Sequence, residues 1–193
     1  MTDMTLGPAY TVRDDWLKRY YFSRAAFSIA WIVAALTAGH TIPTMAMLLL
    51  VVYPAWDALA NLVDARRNGG LRQNTTQALN VAASGAATVA IAVAVGMDMH
   101  AVLGVFGVWA ILSGFSQLAT GARRWKRHGA QWAMVLSGAQ SMLAGLLFVK
   151  RATGLQMPDI ADIVPYVAFG AFYFLVSAAW LTAAGVRRSK GWL

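Results

Sequence analysis

Asp57 is the one charged residue in the apolar stretch 25–63, and Asn61 and Asp64 follow it at i+4 and i+7, on a single stripe of a helix. Counted inward from Arg66, nine residues at about 1.5 Å each place Asp57 roughly 13 Å inside the basic border of its helix. Two chemistries fit a carboxyl at that depth. It is either a protonatable site that takes up a proton as the pH falls, or one half of an interhelical ion pair. Arg24 is the expected partner, because its long stem lets the guanidinium meet Asp57 or Asp64 from a neighbouring helix; the amide of Asn80 is the other candidate. A second polar group, Ser113 and Gln117 with Ser116 and Thr120 near by, lies in the charge-free stretch 99–122. Ser113 and Gln117 stand one turn apart, as cross-helix hydrogen bonds or a solute site would require. His40 and His100 fall near turns on the opposite face, where an imidazole serves as a pH sensor or sits idle in solvent. His128, among Arg124, Lys126 and Arg127, is expected at lipid headgroups.

Other chemistries lack their parts. There is no cysteine, and the histidines lack the third ligand and carboxylate of a zinc site, so no metal or cofactor is expected. No phosphate loop, HExxH helix, GxSxG elbow, or pair of facing carboxylates with histidine is present, and the reading is against an enzyme.

The elements that must hold these residues follow from hydropathy. The chain has 193 residues, 59% of them hydrophobic and 12% charged, and its mean hydropathy is +0.54, too apolar for a soluble core to hide. Stretch 25–63 carries one charge, and 73–97, 99–122, 128–149 and 163–186 carry none. About 20 apolar helical residues cross a bilayer. The first stretch is too long for one span and breaks at residues 39–43, with Pro43 placed for the first turn of a new helix. The expected fold is an all-α integral membrane protein with six transmembrane helices at about 22–38, 42–64, 76–95, 99–121, 130–149 and 163–186. They pair as three helical hairpins, 22–64, 76–121 and 130–186. Residues 1–21 form an interfacial N-terminal segment, with a short helix over 12–21, and 189–193 a short tail. A first span preceded by about twenty residues, Asp14 and Asp15 among them, is expected to be retained rather than cleaved as a signal peptide. Pro54 and Pro165 are expected to kink their spans.

Of the 16 basic residues, all but Lys150 and Arg151 fall on the side that holds both termini, while Asp98, Asp159 and Asp162 fall on the other, where the aspartates of loop 152–162 can neutralise the basic pair. The positive-inside rule then puts both termini in the cytoplasm. The net charge of +8 is absorbed by topology and by anionic lipid headgroups on that face, leaving no signal for nucleic acid. Trp16, Trp125, Trp132 and Trp192 fit an aromatic belt at the same boundary. Partners beyond the bilayer are a homo-oligomer or other membrane proteins.

Arg66-Arg67, Arg123-Arg124 and Arg187-Arg188 close the second, fourth and sixth spans alike, as repeated hairpin units would. Small residues line the first helix of each hairpin: Ala26, Ala30 and Ala34; Ser84, Ala86, Thr88, Ala90 and Ala94; Ser137, Ser141 and Gly145. Residues 104–148, with Gly104, Gly107, Trp109, Gly114, the Arg123-Arg124 turn, Trp132, Gly138, Ser141 and Gly145, resemble the short repeat of the HdeD-like membrane proteins. The resemblance implies a bacterial inner-membrane protein of six spans, structural or stress-related through a link to acid resistance, with no catalytic residues to carry over. The N-terminal hairpin departs most from that pattern, with His40, Pro54 and Asp57. The alternative is a small transporter or proton-responsive channel built on Arg24, Asp57 and Asn61.

Overall fold

A computed structural model describes residues 8–124 and 131–189. His128, Trp125, Lys126, Arg127 and Trp192 lie outside them. Among the described residues there are six long helices and no strand: α1 (Pro8–Ala34), α2 (Pro43–Arg67), α3 (Thr75–Ala94), α4 (Met99–Arg124), α5 (Gln131–Ala152) and α6 (Val164–Ser189). Among the described residues five stretches are long and apolar enough to cross a membrane: Asp15–Gly39, Pro43–Arg67, Thr75–Ala94, Met99–Ala119 and Ile160–Arg187. α5 carries Lys150 and Arg151 in its last turn. Large apolar side chains point out of the bundle, Val93 at 65% exposure and Phe115 at 62% among them, and such a surface needs lipid around it.

Local chemistry sets the helix ends. A π-helical turn, Ala35–Gly39, closes α1, and Pro43 opens α2 at its first position, where a missing N–H costs nothing. Gly69 and Gly70 stop α2 with φ of 95° and 88°, a region that only glycine enters freely, and the Gly70 N–H returns to the Ala65 carbonyl at 2.7 Å. A 3₁₀ turn, Ile160–Ile163, is capped by Asp159 and Asp162 in a reciprocal box and leads directly into α6.

Three expectations change. Residues 12–21 belong to α1, which runs unbroken from Pro8, because nothing between the two segments interrupts helical hydrogen bonding. Pro165 is the second residue of α6 and demands no kink there. The backbones that approach most closely are not those of the three expected hairpins: α4 lies nearest α5, α2 nearest α3, and α1 nearest α6, whereas α1 and α2, and α5 and α6, meet through long side chains across a wider gap.

Glycine explains the closest pair. Along the α4/α5 seam Gly107 faces Gly145 and Gly114 faces Gly138, each seven residues from the next on its own helix. A Cβ at Gly114 would stand 2.5 Å from the Gly138 carbonyl oxygen, and one at Gly145 2.5 Å from that of Gly107, so the backbones meet where no side chain fits. Ser141 completes the seam by donating to the Ala110 carbonyl at 3.0 Å.

The bundle is layered along its axis. At the end away from the Arg pairs, Trp31, Leu50, Ile91, Val102, Leu103, Phe106, Phe148, Ile160, Ile163 and Val167 form one dry apolar core. Toward the basic end, the same helices turn polar at Arg24, Asp57, Asn80, Ser113, Gln140 and Tyr173, and a cavity of about 160 Å³ opens between them.

The seam gives a direct comparison. Gly114→Ala should lower the thermal midpoint in detergent by the equivalent of about 1–3 kcal/mol, because backbone on both helices must move. Gly104→Ala, whose added Cβ would meet only Ala152 Cβ at 3.7 Å, should leave the midpoint nearly unchanged. Equal midpoints for the two variants would contradict the close-approach account.

Candidate functional site

The site begins with Asp57, carried on the middle of α2 and turned into the bundle. Oδ1 accepts a charge-assisted bond from Arg24 on α1. Oδ2 accepts from Ser84 Oγ on α3 at 2.7 Å and from Asn61 Nδ2, one turn along α2, at 3.1 Å. Ser84 in turn accepts from Trp109 Nε1 on α4 at 3.0 Å. The Arg24 guanidinium donates to the Tyr20 hydroxyl at 3.0 Å and lies 4.4 Å from the centre of the Phe174 ring on α6. Five helices therefore converge on one ion pair. Both carboxylate oxygens are occupied, as a carboxylate held within apolar helices requires.

The expected residues separate into groups. Arg24, Asp57 and Asn61 meet directly. Asp64, buried two turns nearer the basic end than Asp57, faces elsewhere: it accepts from Asn68 Nδ2 at 2.9 Å and Gln77 Nε2 at 3.2 Å, and belongs to the α2–α3 connection. Asn80 lines the cavity beside the pair. Ser113 and Gln117 line the same cavity from α4, and Ser113 Oγ and Gln117 Oε1 are buried without a hydrogen-bond partner. Across from them α5 and α6 contribute Gln140, whose Oε1 accepts from the Tyr173 hydroxyl at 2.9 Å, and Tyr166, 3.3 Å from Ser141 Oγ.

The histidines are apart from this cavity. His40 Nδ1 lies 2.9 Å from Asp159 Oδ2 and ties the α1–α2 turn to the loop before α6. His100 Nε2 lies 3.1 Å from the Gly154 carbonyl oxygen. Of the two loop aspartates, Asp162 pairs with Arg151 at 2.9 Å, while Asp159 serves His40. Among the described residues no three His, Asp or Glu side chains group as a metal site. At the basic end Arg67 lies 3.9 Å over the Trp16 ring, so this belt residue also anchors the end of α2.

Sequence reasoning missed Ser84 and Trp109 as members of the ionic network. Ser84 stood in a small-residue stripe and Trp109 in a glycine-rich one, and both patterns signal packing. The available cue was the polar line of Asn80, Ser84 and Thr88, spaced by four along one face of α3, since a buried hydroxyl needs a partner.

A family model described as a short repeat of unknown function (DUF308) matches residues 86–150, less than half of the chain, which run from α3 through α4 to the end of α5. The match contains the whole glycine seam. No curated protein and no solved structure matches the chain. The molecule is thus a multi-pass membrane protein that carries this repeat, in contact with a lipid bilayer through its apolar helices.

Removing one partner of the ion pair should cost far more than removing both. Asp57→Leu leaves the Arg24 charge buried and unpaired, with an expected loss of about 3–5 kcal/mol, seen as a lower thermal midpoint and less monodisperse protein. The double variant Arg24→Leu/Asp57→Leu should recover much of that loss. Losses that simply add would show that the two side chains do not act as a pair.

Proposed function

We propose that this is a six-span protein of the bacterial inner membrane, similar to the HdeD-like proteins, with both termini in the cytoplasm and anionic lipid headgroups against its basic face. In this reading α5 is the sixth span, held in the bundle by the glycine seam despite its polar positions. We further propose that it works as a small transporter or gated conduit rather than as an enzyme. One observation carries that reading. A chamber of about 160 Å³ in the basic half of the bundle is lined by three residues, Arg24, Ser113 and Gln117, each with a buried polar atom, Nε, Oγ and Oε1, that the protein itself leaves unpaired. Buried polar groups in a bundle normally find partners, so an unpaired cluster on a cavity wall is a surface prepared for something that enters.

The apolar core beyond the chamber is the barrier. Passage requires that core to part, and two features next to it weaken the helical ladder. Pro54 lies within α2, and the π-helical turn Ala35–Gly39 ends α1. Trp31 Nε1 donates to the Leu49 carbonyl at 2.7 Å and clasps α1 to α2 just beyond the proline. In this mechanism the ion pair is the fixed point, and the outer halves of α1 and α2 are what move.

A structural or stress-related role is the second reading. It is favoured by the pairing of Asp57, both of whose oxygens are held by donors of the protein itself.

Proteoliposomes distinguish the two. After a hyperosmotic step with a small polar solute, vesicles holding the wild type should re-swell faster than protein-free liposomes. Ala144→Phe, which fills the chamber from α5, should bring the rate back to the lipid baseline. Wild-type vesicles that re-swell no faster than bare lipid would contradict the conduit and leave the structural reading.

A further inference from the structure

The chamber's chemistry narrows what it can take. Among its described lining residues the charged ones are Arg24 and Asp57, and they neutralise each other. Both are largely engaged by the protein, and Arg24 Nε is the one buried nitrogen of the pair without a partner. One Asp57 oxygen is held by Arg24 and the other by Ser84 and Asn61; the Arg24 guanidinium is engaged by Asp57 and Tyr20 and covered by Phe174. A cation would have to displace Arg24 from Asp57, and an anion meets one unpaired N–H, Arg24 Nε, on a guanidinium whose charge Asp57 already neutralises. Either ion brings an uncompensated charge into the bundle, at a cost of several kcal/mol. The lining therefore discriminates against ions by having already paired its own.

What else it offers a guest is neutral. Ser113 Oγ can donate or accept and Gln117 Oε1 accepts, both from one face of α4 and one turn apart. Ser113 is nine-tenths buried, so its hydroxyl reaches little besides the chamber. The walls around them are aromatic, with Trp109, Tyr166, Phe169 and Tyr173 supplying flat apolar surface. The volume matches a cavity of about 150 Å³ known to accept a benzene-sized molecule.

We propose that the chamber binds a small uncharged hydrogen-bond donor, of the size of a short amide or a three-carbon polyol, that donates to Gln117 Oε1 and exchanges a hydrogen bond with Ser113 Oγ. This assignment rests on the conduit reading for its purpose, but binding is measured separately from passage.

Three probes of nearly one shape isolate charge as the variable: acetamide, acetate and acetamidinium. Binding to the purified full chain in detergent is read by saturation-transfer NMR. Acetamide is expected to bind in preference to both ions. Gln117→Leu, of similar volume, should weaken it by about tenfold, the weight of one buried neutral hydrogen bond. Ser113→Ala, the milder change, should weaken it less, and serves if Gln117→Leu reduces folding. Acetate or acetamidinium binding as well as acetamide would overturn the assignment of class. Acetamide binding unchanged in both variants would overturn the assignment of residues, and the absence of binding by any probe would overturn the site. Failure of the conduit reading shows separately, as wild-type vesicles that re-swell no faster than lipid while acetamide still binds.

Discussion

A carboxylate in the middle of an apolar helix must be met on every side, and the arrangement of this bundle follows from how Asp57 is met. Arg24 comes from α1, Asn61 from its own helix, Ser84 from α3, Trp109 from α4 through Ser84, and Phe174 from α6 across the face of the guanidinium. Hydrophobicity cannot order these helices, because lipid is as apolar as their side chains. A directional, charge-assisted network can, since each misplaced helix leaves a buried donor or acceptor unmet. The aromatic side chains extend that order outward: Trp109 makes edge contacts with Tyr53, Phe106 and Tyr166, at centroid distances of 6.0, 5.7 and 6.2 Å, where the polar half gives way to the dry one.

The second constraint is the glycine seam, and it brings α5 into the bundle by a different physics. Backbones that approach at Gly107, Gly114, Gly138 and Gly145 gain dispersion contact along their length. They also set the polar residues of α5, Gln140 and Ser141, across from Ser113 and Gln117. The chamber is the space between these two systems. The ionic network fixes one wall and the seam fixes the other, and neither uses Ser113 Oγ or Gln117 Oε1. The family match covers the seam and stops short of Arg24 and Asp57, so the repeat of unknown function accounts for one wall only.

Much of this was legible in the residues. Apolar runs longer than a bilayer, broken at Pro43 and closed by Arg pairs, located the helices because length and charge are local properties. Asp57 declared itself because nothing else in 25–63 is charged, and Arg24 was within reach by helix geometry alone. Helix pairing was less legible. A hairpin joins neighbours in the chain, but close packing follows the faces that carry glycine, and the facing of Gly114 to Gly138 shows only when both helices are in place. Asp64 shares a stripe with Asp57 yet turns to Asn68 and Gln77, since the path of the α2–α3 connection decides which donors are near. The link from His40 to Asp159 spans most of the chain and has no local signature.

The central claim is an axial division, with a polar chamber toward the Arg pairs and a dry barrier beyond it. The chain has no cysteine, so a single introduced thiol reports its surroundings without background. The decisive measurement is the reactivity of Ser137→Cys, in the chamber wall, and Val102→Cys, in the barrier, toward a small membrane-impermeant thiol reagent applied from either face of sealed vesicles. The account predicts that Ser137→Cys reacts from the face bearing the Arg pairs and not from the other, while Val102→Cys is protected from both. Equal reactivity at the two positions, or a Ser137→Cys thiol protected from both faces, would contradict it.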